Sequence, residues 1–122
     1  MGLDTLRKYY LAGPMTGIEG HNFKTFDFFA AELRNRGYTV VSPAEIARSL
    51  PGEPGSLPYE EYVKADLKEM LECTDLVLLP GWRGSRGAMR ELDLAEFLNY
   101  RVWRVESDSS LIRTEYGDTR VG

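Results

Sequence analysis

The segment from Leu76 to Leu98 constrains the fold more than any other part of the chain. Leu76, Val77, Leu78 and Leu79 form a short apolar run of the kind that fills the middle of a parallel sheet. Pro80-Gly81 ends that strand, and Trp82-Arg83-Gly84-Ser85-Arg86-Gly87 makes a glycine-rich turn. A helix follows, beginning near Ser85 or Gly87, with an inward stripe of Ala88, Leu92, Ala95 and Leu98. A strand that feeds such a turn at a helix N-terminus is a recurring anion site. Free N–H groups and the helix dipole point at the ligand.

Glu91 lies on or beside that stripe, while Arg90, Asp93 and Glu96 have the solvent face. An ionised carboxylate on a buried face is costly unless it is partnered. Two readings follow. Glu91 is a site residue beside whatever the turn binds, or it is an edge-of-stripe residue that reaches water or pairs with Arg86 or Arg90.

The same oddity recurs upstream. Residues 59–72 read as a helix with an inward stripe of Tyr59, Tyr62, Val63, Leu67, Met70 and Leu71. Asp66 falls in that stripe. Alone, it reads equally as half of a buried salt bridge or as a capping contact. Two inward carboxylates on helices flanking one strand point to a site. Asp75 reads as a turn or strand-start residue.

The rest of the chain supplies the frame. Tyr9 to Ala12 reads as the first strand, stopped by Gly13-Pro14-Met15-Thr16-Gly17. Asn22 is placed to cap a helix from Phe23 to about Arg36, with Gly37 at its C-terminus. Tyr38 to Val41 is a second strand, Ala44 to Leu50 one or two helical turns, and Tyr100 to Val105 a fourth strand. Pro51 to Pro58 is a turn-rich surface loop, a candidate flap. This predicts one α/β domain over residues 1–105: a parallel sheet of about four strands in order 2-1-3-4, flanked by helices. Residues 106–122 read as a polar tail. The turns after strands one and three should meet at the carboxyl ends of the strands, where such sheets bind ligands.

A net charge of −4 argues against a nucleic-acid polymer as partner. One cysteine, Cys73, and one histidine, His21, leave no intrachain disulfide and no clustered Cys/His metal site. No cofactor is expected. No apolar run is long enough to span a membrane and no signal peptide opens the chain, so the expected location is cytoplasmic.

Three motifs in order carry a resemblance. They are Tyr10-Leu11-Ala12-Gly13-Pro14, Asp66 ahead of Cys73-Thr74-Asp75, and the glycine turn through Gly87 to Glu91. Over about residues 8 to 105 the chain resembles the nucleoside 2-deoxyribosyltransferase superfamily. It looks closest to a small, often phage-encoded, uncharacterised branch (DUF4406-like) that opens Y-L-A-G-P-M-T-G, here Tyr10 to Gly17. The resemblance implies a flavodoxin-like or Rossmann-like sandwich, a homo-oligomer, and cleavage of the N-glycosidic bond of a deoxynucleoside or its monophosphate. Glu91 then resembles the family's nucleophile, Asp66 the residue that handles the proton on the leaving base, and Tyr10 the tyrosine that orients the glutamate.

One departure stands out. The transferases carry an aspartate six residues before the glutamate, where this chain has Ser85. In that respect it looks more like the deoxynucleoside monophosphate hydrolases. Ser85 and backbone amides would hold a phosphate, with Arg83 or Arg86 adding charge; Ser85 also reads as a plain helix cap. Gly13, Thr16 and Gly87 fall to the same crevice, and Met15 with Trp82 could form an apolar slot for the base. The partner is then a small nucleotide or nucleoside. Two other readings stay open: a nucleotide-binding module without catalysis, and a phosphoribohydrolase, suggested by Pro80-Gly81 and Glu91. No role is assigned to Tyr116 in the tail.

Overall fold

The computed structural model describes residues 6–114. Its centre is a pair of strands buried along their whole length, β1 (Tyr9–Ala12) and β3 (Asp75–Leu78). β2 (Val40–Val41) flanks β1, β4 (Arg101–Val105) flanks β3, and β5 (Leu111–Thr114) closes the far edge. The order is β2-β1-β3-β4-β5, and the first four strands are parallel. Parallel strands buried on both faces read as unbroken apolar runs, as this sequence does.

Side chains alternate across β1 and sort the core into two halves. Tyr9 and Leu11 face α1 (Phe23–Asn35), where Phe26, Phe29, Ala30 and Leu33 cover them. Tyr10 and Ala12 face α3 (Tyr59–Met70) and α4 (Arg86–Phe97), which contribute Met70, Ala88, Leu92 and Ala95. The short α2 (Pro43–Ser49) is capped by the Ser42 hydroxyl, which accepts from the Ala44 N–H at 3.2 Å. Gly37 follows α1 with φ +95°, a conformation that favours glycine.

Three expectations are corrected. The polar segment after Glu106 is not all tail: β5 pairs antiparallel with β4, Val105 opposite Leu111 and Val102 opposite Thr114. The turn between them is held by Asp108, whose carboxylate accepts from the Ser110 backbone at 3.0 Å. Asn22 does not cap α1; its backbone is left-handed and its side-chain amide donates instead to the Pro14 carbonyl at 2.8 Å. Tyr59 and Leu71 are exposed, because α3 covers the sheet only by a narrow stripe that ends in Met70. Tyr116 lies outside the described residues.

Asp75 ties the other end of the sheet together. Its fully buried carboxylate accepts from Arg7 Nη2 at 2.8 Å, Trp103 Nε1 at 2.8 Å and Thr74 Oγ1 at 2.7 Å. Burial pushes its pKa up, but these donors outweigh burial and hold it below the usual aspartate value. Removing the carboxylate leaves Arg7 and the Trp103 indole without it. We expect Asp75→Ala to lose about 3–5 kcal/mol in urea unfolding. The parent's stability should fall in acid as Asp75 protonates below its ordinary range. A loss under about 1 kcal/mol, typical of an exposed ion pair, would contradict this account.

Candidate active site

The turns after β1 and β3 do meet. A Cβ built on Gly13 would stand 3.0 Å from the Leu79 Cβ, so only glycine lets the two backbones come this close. Gly81 adopts φ +87°, and its face lies against Pro14. The chain then makes one 3-10 turn at Trp82–Gly84 and enters α4. Ser85 takes the N-cap: its hydroxyl accepts from the Ala88 N–H at 3.1 Å. The cap reading of Ser85 is therefore realised, and its O–H proton remains available to a ligand.

These turns fix the axis of α4 and bring Glu91 under the sheet. The Tyr10 hydroxyl, on a residue with no exposed surface, donates to Glu91 Oε2 at 2.8 Å. Glu91, half-buried, makes no ion pair with Arg86 or Arg90, both exposed, so that pairing is not what the structure adopts; its one side-chain bond among the described residues is from Tyr10. The charge of Asp66, on α3, acts on both Glu91 and Tyr10. The two inward carboxyl groups and the tyrosine thus share one side of the sheet.

Burial dominates their electrostatics. It lifts Glu91 to about 8; the Tyr10 hydrogen bond works against that rise and the Asp66 charge adds to it. Burial alone lifts Asp66 to about 7. No hydrogen-bond donor reaches Asp66 among the described residues. Burial and the adjacent Glu91 push the Tyr10 phenol well above its ordinary value, so it stays a donor.

The remaining expected residues scatter. Met15 packs on the α1 side of the sheet and Trp82 on the α4 side, so the slot expected between them is not formed. Trp82 is 4% exposed, with the Arg83 guanidinium 4.6 Å over its ring; it is core. Thr16 and Arg86 are exposed. Gly87 stands between two hydroxyls: a Cβ there would be 3.8 Å from Tyr59 Oη and 3.9 Å from Ser85 Oγ. Tyr59 therefore borders the α4 N-terminus, a place its reading as a core residue did not suggest. Tyr62, read the same way, uses its hydroxyl on the 51–58 loop, accepting from Gly55 N–H at 2.7 Å. Among the described residues, no group of His, Cys, Asp or Glu is arranged to hold a metal ion. No helix among them is long and apolar enough to cross a membrane.

A carboxyl whose pKa is raised on folding stabilises below its unfolded value and loses that contribution as pH climbs through the folded one. Replacing Glu91 by the neutral Gln should therefore raise Tm by several degrees at about pH 9. The gain should shrink as pH falls and vanish only below about pH 4, where this carboxyl is uncharged in the folded and the unfolded parent alike. A Tm difference independent of pH would contradict the buried, raised carboxyl.

Over residues 7–104 the sequence matches a family described as a domain of unknown function, DUF4406. No curated protein matches it. Solved structures that share its fold include the following two. One is a 2-deoxyribosyltransferase from the psychrotolerant bacterium Bacillus psychrosaccharolyticus: TM-score 0.62, 21% identity, covering 94% of this chain and 91% of that one. The other is a conserved protein from Enterococcus faecalis V583: TM-score 0.63, 20% identity, covering 85% of this chain and 65% of that one. The fold is deoxyribosyltransferase-like, and by its match over residues 7–104 the chain belongs to the DUF4406 family.

Proposed function

We propose that this protein cleaves the N-glycosidic bond of 2′-deoxynucleoside 5′-monophosphates, with Glu91 as nucleophile and Asp66 as proton donor. The observation that carries the reading is the part-buried Tyr10–Glu91 hydrogen bond at 2.8 Å with a second, unbonded carboxyl acting on it. The structural likeness to a 2-deoxyribosyltransferase supports the reaction class.

The two carboxyl groups titrate as a pair. The reaction uses the singly protonated form with the charge on Glu91, whose anion accepts from Tyr10, and the proton on Asp66; burial lifts both groups, Glu91 to about 8 and Asp66 to about 7, so this form exchanges with the one that has the proton on Glu91. Glu91 Oε then attacks the anomeric carbon. The C–N bond breaks, its electron pair stays on the base, and the Asp66 proton neutralises that base. Water, deprotonated by Asp66, releases 2-deoxyribose 5-phosphate from the glutamyl ester; a second base in place of water would make the enzyme a transferase. Two carboxyl groups with divided roles are the usual arrangement for such bonds.

Ser85 favours a phosphorylated substrate. A carboxylate at that position would repel phosphate, whereas a hydroxyl at the start of a 12-residue helix suits it. Acting as a homo-oligomer in the cytoplasm is part of the same proposal.

Free base measured by chromatography tests it. We expect release from deoxynucleoside monophosphates in preference to deoxynucleosides, and none from ribonucleotides. Asp66→Asn should slow release roughly 10²–10⁴-fold. Tyr10→Phe should slow it roughly 10–100-fold, the worth of one hydrogen bond to a charged group. Because only the singly protonated pair works, the rate should peak near neutrality and fall on both sides. Full activity in Glu91→Gln would remove the mechanism. Tight nucleotide binding without base release by the parent would favour the binding module.

A further inference from the structure

Residues 51–58 have no regular secondary structure, yet they are held at both sides. On one side the Gly55 and Leu57 N–H groups both donate to the Tyr62 hydroxyl oxygen, at 2.7 and 3.2 Å. On the other, Gly55 lies on the imidazole of His21; a Cβ added at Gly55 would meet His21 Cε1 at 3.0 Å. Gly55 is at φ +91°, so the segment is shaped for this approach. His21 and Asn22 in turn hold left-handed backbone at φ +55° and +59°, a conformation costly for residues other than glycine. The Asn22 amide secures it by its bond to Pro14, next to Gly13. The segment therefore bridges α3 and the connection that follows β1.

Tyr62 precedes Asp66 by four residues, one turn along the same face of α3. We propose that Tyr62 is a positioning residue: its hydroxyl latches the 51–58 segment across the crevice, closing it over the bound base and keeping water from Asp66. This rests on reading Asp66 as the proton donor. A phenol oxygen accepting two backbone N–H groups supplies an anchor to a segment that has no ladder of its own. Phenylalanine would keep the ring and lose both bonds.

The ionisable groups around Asp66 are Glu91 from α4 and Tyr10 from β1. The segment itself carries the exposed Glu53, and the exposed His21 stands beyond it. The latch changes none of these charges. It changes only the access of water, which is what raises Asp66.

The test is the Asp66 carboxyl titration, read by carbon-13 NMR on the full chain, in the parent, Tyr62→Phe and Tyr100→Phe. Tyr100 donates to the Met70 carbonyl at 2.8 Å, at the far end of α3, and its loss serves as a purely structural comparison. Tyr62→Phe should lower the Asp66 midpoint by about one unit or more, toward ordinary aspartate. The high-pH limb of base release should move down with it. Tyr100→Phe should leave the midpoint in place. An unchanged midpoint in folded Tyr62→Phe, or an equal drop in Tyr100→Phe, overturns the latch. Should Tyr62→Phe fail to fold, His21→Ala removes the far contact from the surface and should shift Asp66 in the same direction; no shift there overturns it too. The titration needs no turnover, so a parent that releases no base counts against the proposed reaction and not against the latch.

Discussion

A carboxylate carried under a parallel sheet must be partnered, and here the partner is the Tyr10 hydroxyl. That bond links the second residue of β1 to the middle of α4, elements far apart in sequence. It sets the requirements around it. Tyr10 must be buried, so β1 must be a central strand. α4 must start where its second turn falls over Tyr10, so the turn after β3 must be short and sharply bent. Gly81 supplies the bend, and Gly13 lets the β1 turn sit against Leu79. The glycine turns, often read as ligand loops, are needed first for this packing.

The two ends of the sheet treat their carboxylates in opposite ways. Asp75 is surrounded by Arg7, Thr74 and Trp103 and is held ionised. Asp66 has burial without donors, which lifts it to about 7, so it exchanges its proton near neutrality. The first arrangement ties strands together. The second is unfavourable for the fold, and a group kept in that state is the kind that acid–base chemistry uses. Glu91 is raised as well, burial outweighing the one donor that Tyr10 gives it.

Much of this was legible in the chain itself. Short apolar runs ended by Gly-Pro and Pro-Gly located β1 and β3, and the 3.6-residue period located α1 and α4. Asp66 and Glu91 were visible because a carboxylate interrupts an apolar stripe at a countable position. Periodicity gave out where side chains leave regular elements. In the loops after β1 and β3 it could not tell that Met15 and Trp82 turn to opposite faces of the sheet. β5 was missed because a four-residue strand with two exposed positions looks like a tail until its partner is known. Tyr62 was seen as a ring in a stripe; its hydroxyl works on backbone N–H groups that no side-chain pattern reports.

The central claim is that Glu91 forms a bond to the anomeric carbon. A deoxynucleotide analogue bearing fluorine at C2′ disfavours positive charge at that carbon and slows both formation and breakdown of a covalent intermediate. Intact-protein mass spectrometry after incubation, followed by peptide mapping, reads the bond directly. The account predicts one added sugar phosphate, carried on Glu91 and absent from Glu91→Gln. Base release from the analogue with no adduct, or an adduct on any other residue, would contradict it.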